Sequence, residues 1–268
     1  MIRGLNAVDS NQVILSDHDG LATLSLNKPE KLNTLDTSVF EQLLAHIERI
    51  EASTDTIGCV VLRGNGRSFS AGHDLAVLTA GESVAENAFQ AKVIERLANL
   101  PQPVISAVHG YCYTGALELA LAADMILASA NARFADTHAK WALTPLWGLS
   151  QRLPRRVGVA KAREMMFTCR TYTGAEAEQI GLANACFPDE VFDREVEAFA
   201  RAVLANSWFS LRENKRLLNE TDGMTLQAGL AHEVFRTRGT GPDMQARIAS
   251  FAQRKRKVES SESRRGNL

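Results

Sequence analysis

The sequence predicts an α/β fold built on a parallel sheet. Two short apolar runs, Cys59 to Leu62 and Val104 to Val108, are each followed by a glycine-containing loop. Segments with apolar residues at helical spacing lie between these runs, and a third run, Met125 to Ala128, follows a further helical stretch. Strand, crossover helix and strand again argue for a parallel, right-handed arrangement.

The elements follow in order. Val13 to Leu15 and Leu21 to Leu26 read as a hairpin around Ser16 to Gly20. Asp36 or Thr37 caps a helix through roughly Ser53, because Val39, Leu43, Leu44, Ile47 and Ile50 recur at helical spacing. Strand Cys59 to Arg63 leads through the turn Gly64-Asn65-Gly66 to Ser68–Leu75 and a helix-prone stretch. A helix from about Ala85 to Leu100 carries Phe89, Val93, Ile94 and Leu97 on one face. The strand ending at Val108 passes through a loop, Tyr111 to Thr114, into a helix opened by Gly115. After about Trp208 the pattern is helical only, with Leu211, Leu217, Leu226, Leu230 and Val234 on apolar faces. The expected division is a core over 1–205, a helical region over 206–258 and a polar, disordered tail over 259–268.

At 268 residues the chain can bury a sizeable core. A net charge of −1 gives no electrostatic footprint for nucleic acid. No stretch reaches the ~20 apolar residues of a membrane span. The N-terminal MIRGLNAVDSNQ lacks the apolar core of a signal peptide. A cytoplasmic protein with no nucleic-acid or membrane partner is therefore expected. Cys59, Cys112, Cys169 and Cys186 have neither metal-ligand spacing nor the look of a disulfide framework, so no metal is expected. Cys112 reads as a small buried hydrophobe rather than a nucleophile.

The chemistry concentrates between Gln102 and Asp124. With Thr114 as N-cap, Gly115 is the first helical residue and Glu118 lies one turn in. The first N–H groups of a helix have no partner inside it, and glycine at the bend lets a ligand approach them. Glu118 is surrounded by Ala116, Leu117, Leu119, Ala120 and Leu121, so it reads as buried and perturbed. The loop Ser68 to Leu75 has the same grammar: a strand end followed by glycine, the place where an α/β protein offers a ligand site. This is the grammar of an oxyanion site with a neighbouring acid/base.

Together, Phe69-Ser70-Ala71-Gly72-His73-Asp74-Leu75 and Pro103 to Asp124 resemble the enoyl-CoA hydratase/isomerase, or crotonase, superfamily. Further blocks match in the right order: Leu24 to Pro29 with Asn33-Thr34-Leu35, Ala132-Arg133-Phe134, Gln151 to Gly158, Ala175 to Asn184, and Phe251 with Arg254-Lys255-Arg256. The resemblance covers roughly residues 10 to 257. It implies a repeated β-β-α core, a C-terminal helical trimerisation region, and a homotrimer or hexamer. It also implies an acyl-CoA substrate, with CoA arriving as part of that substrate and no other cofactor. The implied oxyanion donors are the backbone N–H groups of His73 and Gly115, and the implied acid/base is Glu118. Implied contacts to CoA or the acyl group are Leu32, Ala71, Asp74, Leu75, Tyr111, Thr114 and Trp147. Relatives that decarboxylate carry the same Ala71-Gly72-His73-Asp74 loop. The basic cluster Arg254 to Lys257 is read either as a contact to CoA phosphates or as a solvated helix end.

Two departures from the family pattern stand out. His138 occupies the position of the second hydratase glutamate, and histidine can exchange protons near neutral pH. It is either the partner of Glu118 or a structural imidazole in the pocket wall. Asp136 would share its face only if the segment is extended. Thr144 to Ser150 places Leu146 and Trp147 where glycines are common; Trp147 either lines the acyl pocket or packs in the core. The favoured expectation is an enoyl-CoA hydratase-type lyase using Glu118 and His138. Double-bond isomerisation, malonyl-type decarboxylation and acyl-CoA binding without turnover are the alternatives.

Overall fold

Residues 11–253 are described by a computed structural model. β1 (Val13–His18) and β2 (Leu21–Leu26) form the expected hairpin, turned by Asp19 and Gly20 at φ 49° and 83°. α1 (Thr37–Glu51) begins where Asp36 accepts the Val39 N–H, and it buries Val39, Phe40, Leu43, Ile47 and Ile50. β3 (Cys59–Gly64) pairs parallel to β2. α2 (Leu75–Ala80) and α3 (Val84–Ala98) cross over to β4 (Val104–Val108). A capping box between Ser83 and Glu86 sets the start of α3. β5 (Tyr111–Tyr113), α4 (Gly115–Ala120), β6 (Met125–Ser129) and β7 (Arg133–Ala135) follow. Then come α5 (Leu149–Val157), α6 (Val159–Thr168), β8 (Tyr172–Thr173), α7 (Gly174–Gln179), β9 (Ala185–Phe187) and α8 (Phe192–Leu204).

The large sheet runs β1-β2-β3-β4-β6-β9, and every pair after the hairpin is parallel. Both of its faces are covered, which is why its strands read as unbroken apolar runs. Val60, Leu62, Val104 and Val108 join the core with Phe40, Leu43, Ile94 and Leu117, while Cys59, Val61, Ile105 and Leu127 pack with Phe192, Val196 and Ala200 of α8. β5, β7 and β8 form a second, small sheet. β4-β5-α4 and β6-β7-α5 repeat one β-β-α unit, the first strands pairing in the large sheet and the second in the small one. β3 and α2 supply a third copy, its second strand reduced to the bridge between Ser70 and Cys112. The loop expected from Tyr111 is thus strand β5 as far as Tyr113. Three residues carry no alternation signal, and pairing with β7 makes the strand.

The chain divides into two compact units, the first ending at Leu204 and the second beginning at Ala205. The second holds α9 (Trp208–Thr221), α10 (Leu226–Arg236) and helical residues 244–253. Arg216 bridges Glu213 and Glu220 at 2.8 and 2.6 Å, and Glu220 meets His232 at 2.7 Å, which ties α9 to α10. Leu218, Leu226, Val234 and Phe235 are exposed. Arg254 to Lys257 and the tail 259–268 lie outside the described residues. No described helix is long and apolar enough to cross a membrane.

The turn before α1 matters most for the site. Leu32 and Asn33 adopt the left-handed region at φ 53° and 54° after the 3-10 turn Pro29–Lys31. The buried Asn33 side chain accepts the Lys28 N–H at 2.8 Å. It donates to the carbonyls of Asn65 and Ser68 at 2.9 and 2.8 Å, and its own carbonyl accepts from Ser70 Oγ. This turn is thereby stapled to the loop that follows β3. Asn33→Ala leaves these backbone groups unpaired and should cost on the order of 3 kcal/mol in urea unfolding; a loss within experimental error would show that the staple is dispensable.

Candidate active site

Two loops from successive β-β-α units meet at one cavity. Gly72, at φ 102°, lies against the second loop so closely that a Cβ there would come within 2.6 Å of the Tyr113 carbonyl. Leu35 and His73 form an isolated parallel bridge, with Leu35 donating to Gly72 and accepting from Asp74, each at 2.9 Å. That pattern uses the groups flanking His73 and turns the His73 N–H to the opposite side. The Gly115 N–H opens α4 and has no acceptor inside the helix. Among the described residues neither N–H has a hydrogen-bond acceptor.

Between the strand and Gly115 the backbone is strained. Thr114 sits at φ 53°, ψ −110°, a region that costs a non-glycine residue about 1–3 kcal/mol. Three hydrogen bonds hold it there. Its N–H donates to Ala135 at 2.9 Å, its hydroxyl meets that of Thr137 at 2.5 Å, and the Thr137 N–H donates back to Thr114 Oγ1 at 3.2 Å. Thr114 is the N-cap by position only, since its side chain caps nothing in α4.

Glu118 is 2% exposed. Its Oε1 accepts the N–H groups of Trp147 and Leu149 at 2.9 and 3.1 Å, and its Oε2 lies 3.7 Å from His138 Nε2. Burial raises the Glu118 carboxyl above its ordinary value; the Leu149 N–H, the nearby His138 and the Trp147 N–H offset this only in part. His138 Nδ1 is 2.6 Å from Asp136 Oδ1, which also accepts the His138 backbone N–H at 3.1 Å. The two side chains meet through this Asx-type turn at the start of the 3-10 helix His138–Trp141, not through an extended strand as the sequence reading required. Asp136, Asp136-bound His138 and Glu118 thus form one buried chain of groups.

His73, Thr114, Gly115, Glu118, His138 and Trp147 border a common cavity of about 60 Å³. Asn87, Leu143, Thr144 and Leu146 complete its wall and were not singled out as a set by the sequence. Leu32, Ala71, Asp74, Leu75 and Tyr111 are not among its lining residues. The Leu32 carbonyl accepts the Ala71 N–H at 2.9 Å, next to the His73 loop. Asp74 binds the Thr34 hydroxyl and the Ala76 N–H at 3.2 and 2.9 Å, Leu75 opens α2, and Tyr111 is 41% exposed beside Tyr113. Cys112 is fully buried and its thiol is pushed well above its ordinary value, which suits a packing residue.

One carboxylate went unnoticed in the sequence. Glu82, in the loop before α3, brings Oε2 within 3.1 Å of His73 Nε2, without the alignment of a hydrogen bond. Its other oxygen accepts from the buried Gln90 at 2.8 Å. The Ser83/Glu86 capping box marks in the sequence where α3 starts and so puts Glu82 just before it, but does not say that its side chain turns inward.

A sequence model described as enoyl-CoA hydratase/isomerase matches residues 16–259. The chain belongs to the enoyl-CoA hydratase/isomerase family. It is 32% identical over 221 residues to a probable peroxisomal enoyl-CoA hydratase of Arabidopsis thaliana, covering 81% of each chain. It is also 32% identical over 249 residues to the 2,3-dehydroadipyl-CoA hydratase of Escherichia coli, covering 91% of this chain and 97% of that one. Among solved structures, the enoyl-CoA hydratase of Bacillus anthracis superposes with a TM-score of 0.86 at 26% identity, over 91% of this chain and 96% of that one. The crotonase fold expected from the motifs is thereby established.

The raised Glu118 carboxyl has a stability consequence. A group whose pKa is higher in the folded state stabilises the fold below its unfolded value, and that contribution is lost as pH rises through the folded value. Glu118→Gln retains an Oε1 acceptor for both N–H groups and removes the buried charge. Its Tm should gain on wild type as pH rises from about 4 to about 8, with little difference at the acid end. A difference that is flat or shrinks across thermal melts in that range would contradict the buried-charge account.

Proposed function

We propose that this chain is an enoyl-CoA hydratase-type lyase that adds water reversibly to a 2-enoyl-CoA. The observation that carries the reading is the cavity shared by two acceptor-free backbone N–H groups and a buried carboxylate. The thioester oxygen accepts from His73 and Gly115, which stabilise the negative charge that develops there. Glu118 Oε2 and His138 Nε2, 3.7 Å apart, are too far for a direct hydrogen bond and suitably placed for one bridging water. Glu118 takes a proton from that water as its oxygen attacks C3, and the proton returned to C2 collapses the enolate. With Asp136 as carboxylate, His138 carries its proton on Nδ1 and presents Nε2 to the water. Asp136 is thus a positioning residue.

In this reading the CoA portion contacts Leu32, Ala71, Asp74 and Leu75 beside the His73 donor, with Tyr111 and Thr114, and the acyl group meets Trp147. The reaction calls for no metal or redox group, since CoA enters with the substrate. Assembly as a homotrimer or hexamer belongs to the same proposal and is supported by the exposed apolar side chains of α9 and α10. A cytoplasmic setting is in keeping with the four free cysteines. Isomerisation of a 3-enoyl-CoA is the second reading, because Glu118 is the one carboxylate among the residues that line the cavity and one carboxylate suffices to move a proton between carbons.

Crotonyl-CoA turnover, followed by loss of enoyl-thioester absorbance, tests the proposal. Glu118→Gln should lower kcat by about 10²–10⁴. His138→Ala should lower it comparably, and Asp136→Asn by at least about tenfold with KM unchanged. Because the base must be ionised and burial raises its pKa, wild-type kcat/KM should fall on the acid side above the ordinary glutamate range. No crotonyl-CoA hydration alongside conversion of 3-butenoyl-CoA to crotonyl-CoA would replace hydratase by isomerase.

A further inference from the structure

We infer that Trp147 restricts the substrate to short acyl groups of about four carbons, on the scale in which a cavity of ~150 Å³ takes benzene. This rests on the acyl-thioester reading above and adds the substrate class to it. The cavity beside the two N–H donors has about 60 Å³, well under the volume that a six-carbon ring requires, and it opens to solvent past the exposed Leu143 and Leu146, so the limit falls on the side that Trp147 walls. A carbonyl seated on those donors leaves room for a few carbons beyond it.

The limit is built in, because the indole is packed against Phe40, His73 and Gly115. Trp147 is 4% exposed. Phe40 packs edge-on against it with centroids 4.9 Å apart, and the His73 ring lies 5.0 Å away on a tilt. Its six-membered ring lies so near Gly115 that a Cβ there would come within 2.5 Å of Cζ3. The Trp147 backbone N–H is held by Glu118 at 2.9 Å and its carbonyl by Arg152 Nη1 at 2.8 Å, while the buried indole Nε1–H has no hydrogen-bond partner among the described residues. His73 cannot yield easily either, since Glu82 sits 3.1 Å from its Nε2 and is anchored by Gln90. Rotating the indole to admit a longer chain would displace Phe40 or His73 from a packed wall, and interiors resist such shifts. The same residue therefore positions the base through its backbone and bounds the acyl group through its ring.

The test is kcat/KM for 2-enoyl-CoAs of four, six, eight and ten carbons, with wild type and Trp147→Ala. Wild type should lose at least about tenfold between four and eight carbons, and Trp147→Ala should recover at least about tenfold of that ratio. Equal use of four and ten carbons by wild type, or an unchanged ratio in the variant, overturns the inference and leaves the hydratase reading intact. If no enoyl-CoA is turned over, calorimetric Kd values for butyryl-CoA and decanoyl-CoA decide the matter in the same proteins. Tighter butyryl-CoA binding that weakens relative to decanoyl-CoA in the variant supports the length limit; equal or tighter decanoyl-CoA binding by wild type ends it. Should Trp147→Ala fail to fold, Trp147→Phe keeps a ring in place and should move the optimum from four towards six carbons; an unmoved optimum counts against the limit.

Discussion

One oxygen of the buried Glu118 carboxylate accepts two backbone N–H groups, from residues 29 and 31 positions further along the chain. Leu149 is the first residue of α5, and Gly148 before it offers no side chain to cap that helix. Glu118 does so from α4. The arrangement joins two β-β-α units at their helical ends and fixes the carboxylate in one orientation. It also explains how an acidic side chain tolerates burial, since charge-assisted hydrogen bonds offset part of the desolvation. The remaining oxygen faces the cavity, where His138 is the nearest titratable group. Architecture and chemistry therefore depend on the same carboxylate.

The second constraint is the seam between the loops that carry His73 and Gly115. Each is positioned by contacts that only particular backbones allow. Gly72 is required by its positive φ and by the nearness of the Tyr113 carbonyl. Thr114 holds a conformation that suits glycine, and the hydroxyl pair with Thr137 supports it. Thr137 immediately precedes His138, so the strained corner beside one N–H donor and the Asp136–His138 turn share a hydrogen bond. Strain stored at such a point is typical of places where geometry matters more than stability.

Much of this was legible in the sequence because the signals are local or periodic. The hairpin, α1, β3, β4 and the Gly115 corner follow from apolar spacing and glycine placement, and the family resemblance with its two departures named six residues that border the cavity: His73, Thr114, Gly115, Glu118, His138 and Trp147. β5, β7 and β8 were not legible, because two or three residues hold no pattern and are made by pairing. The Asp136–His138 contact was misread as needing a strand, when a turn closed by the aspartate itself brings the rings and carboxylate together. Glu82 carries no local sign of turning inward; its burial is set by where α2 and α3 leave the intervening loop. Trp147 was left between wall and core, and it serves as both.

The most direct test of this account is a crystal structure of the protein with 3-hydroxybutyryl-CoA bound. The account predicts the thioester oxygen about 2.7–3.1 Å from both the His73 and Gly115 nitrogens, with the 3-hydroxyl between Glu118 Oε2 and His138 Nε2. A thioester seated away from either nitrogen, or a hydroxyl turned from Glu118, would contradict it.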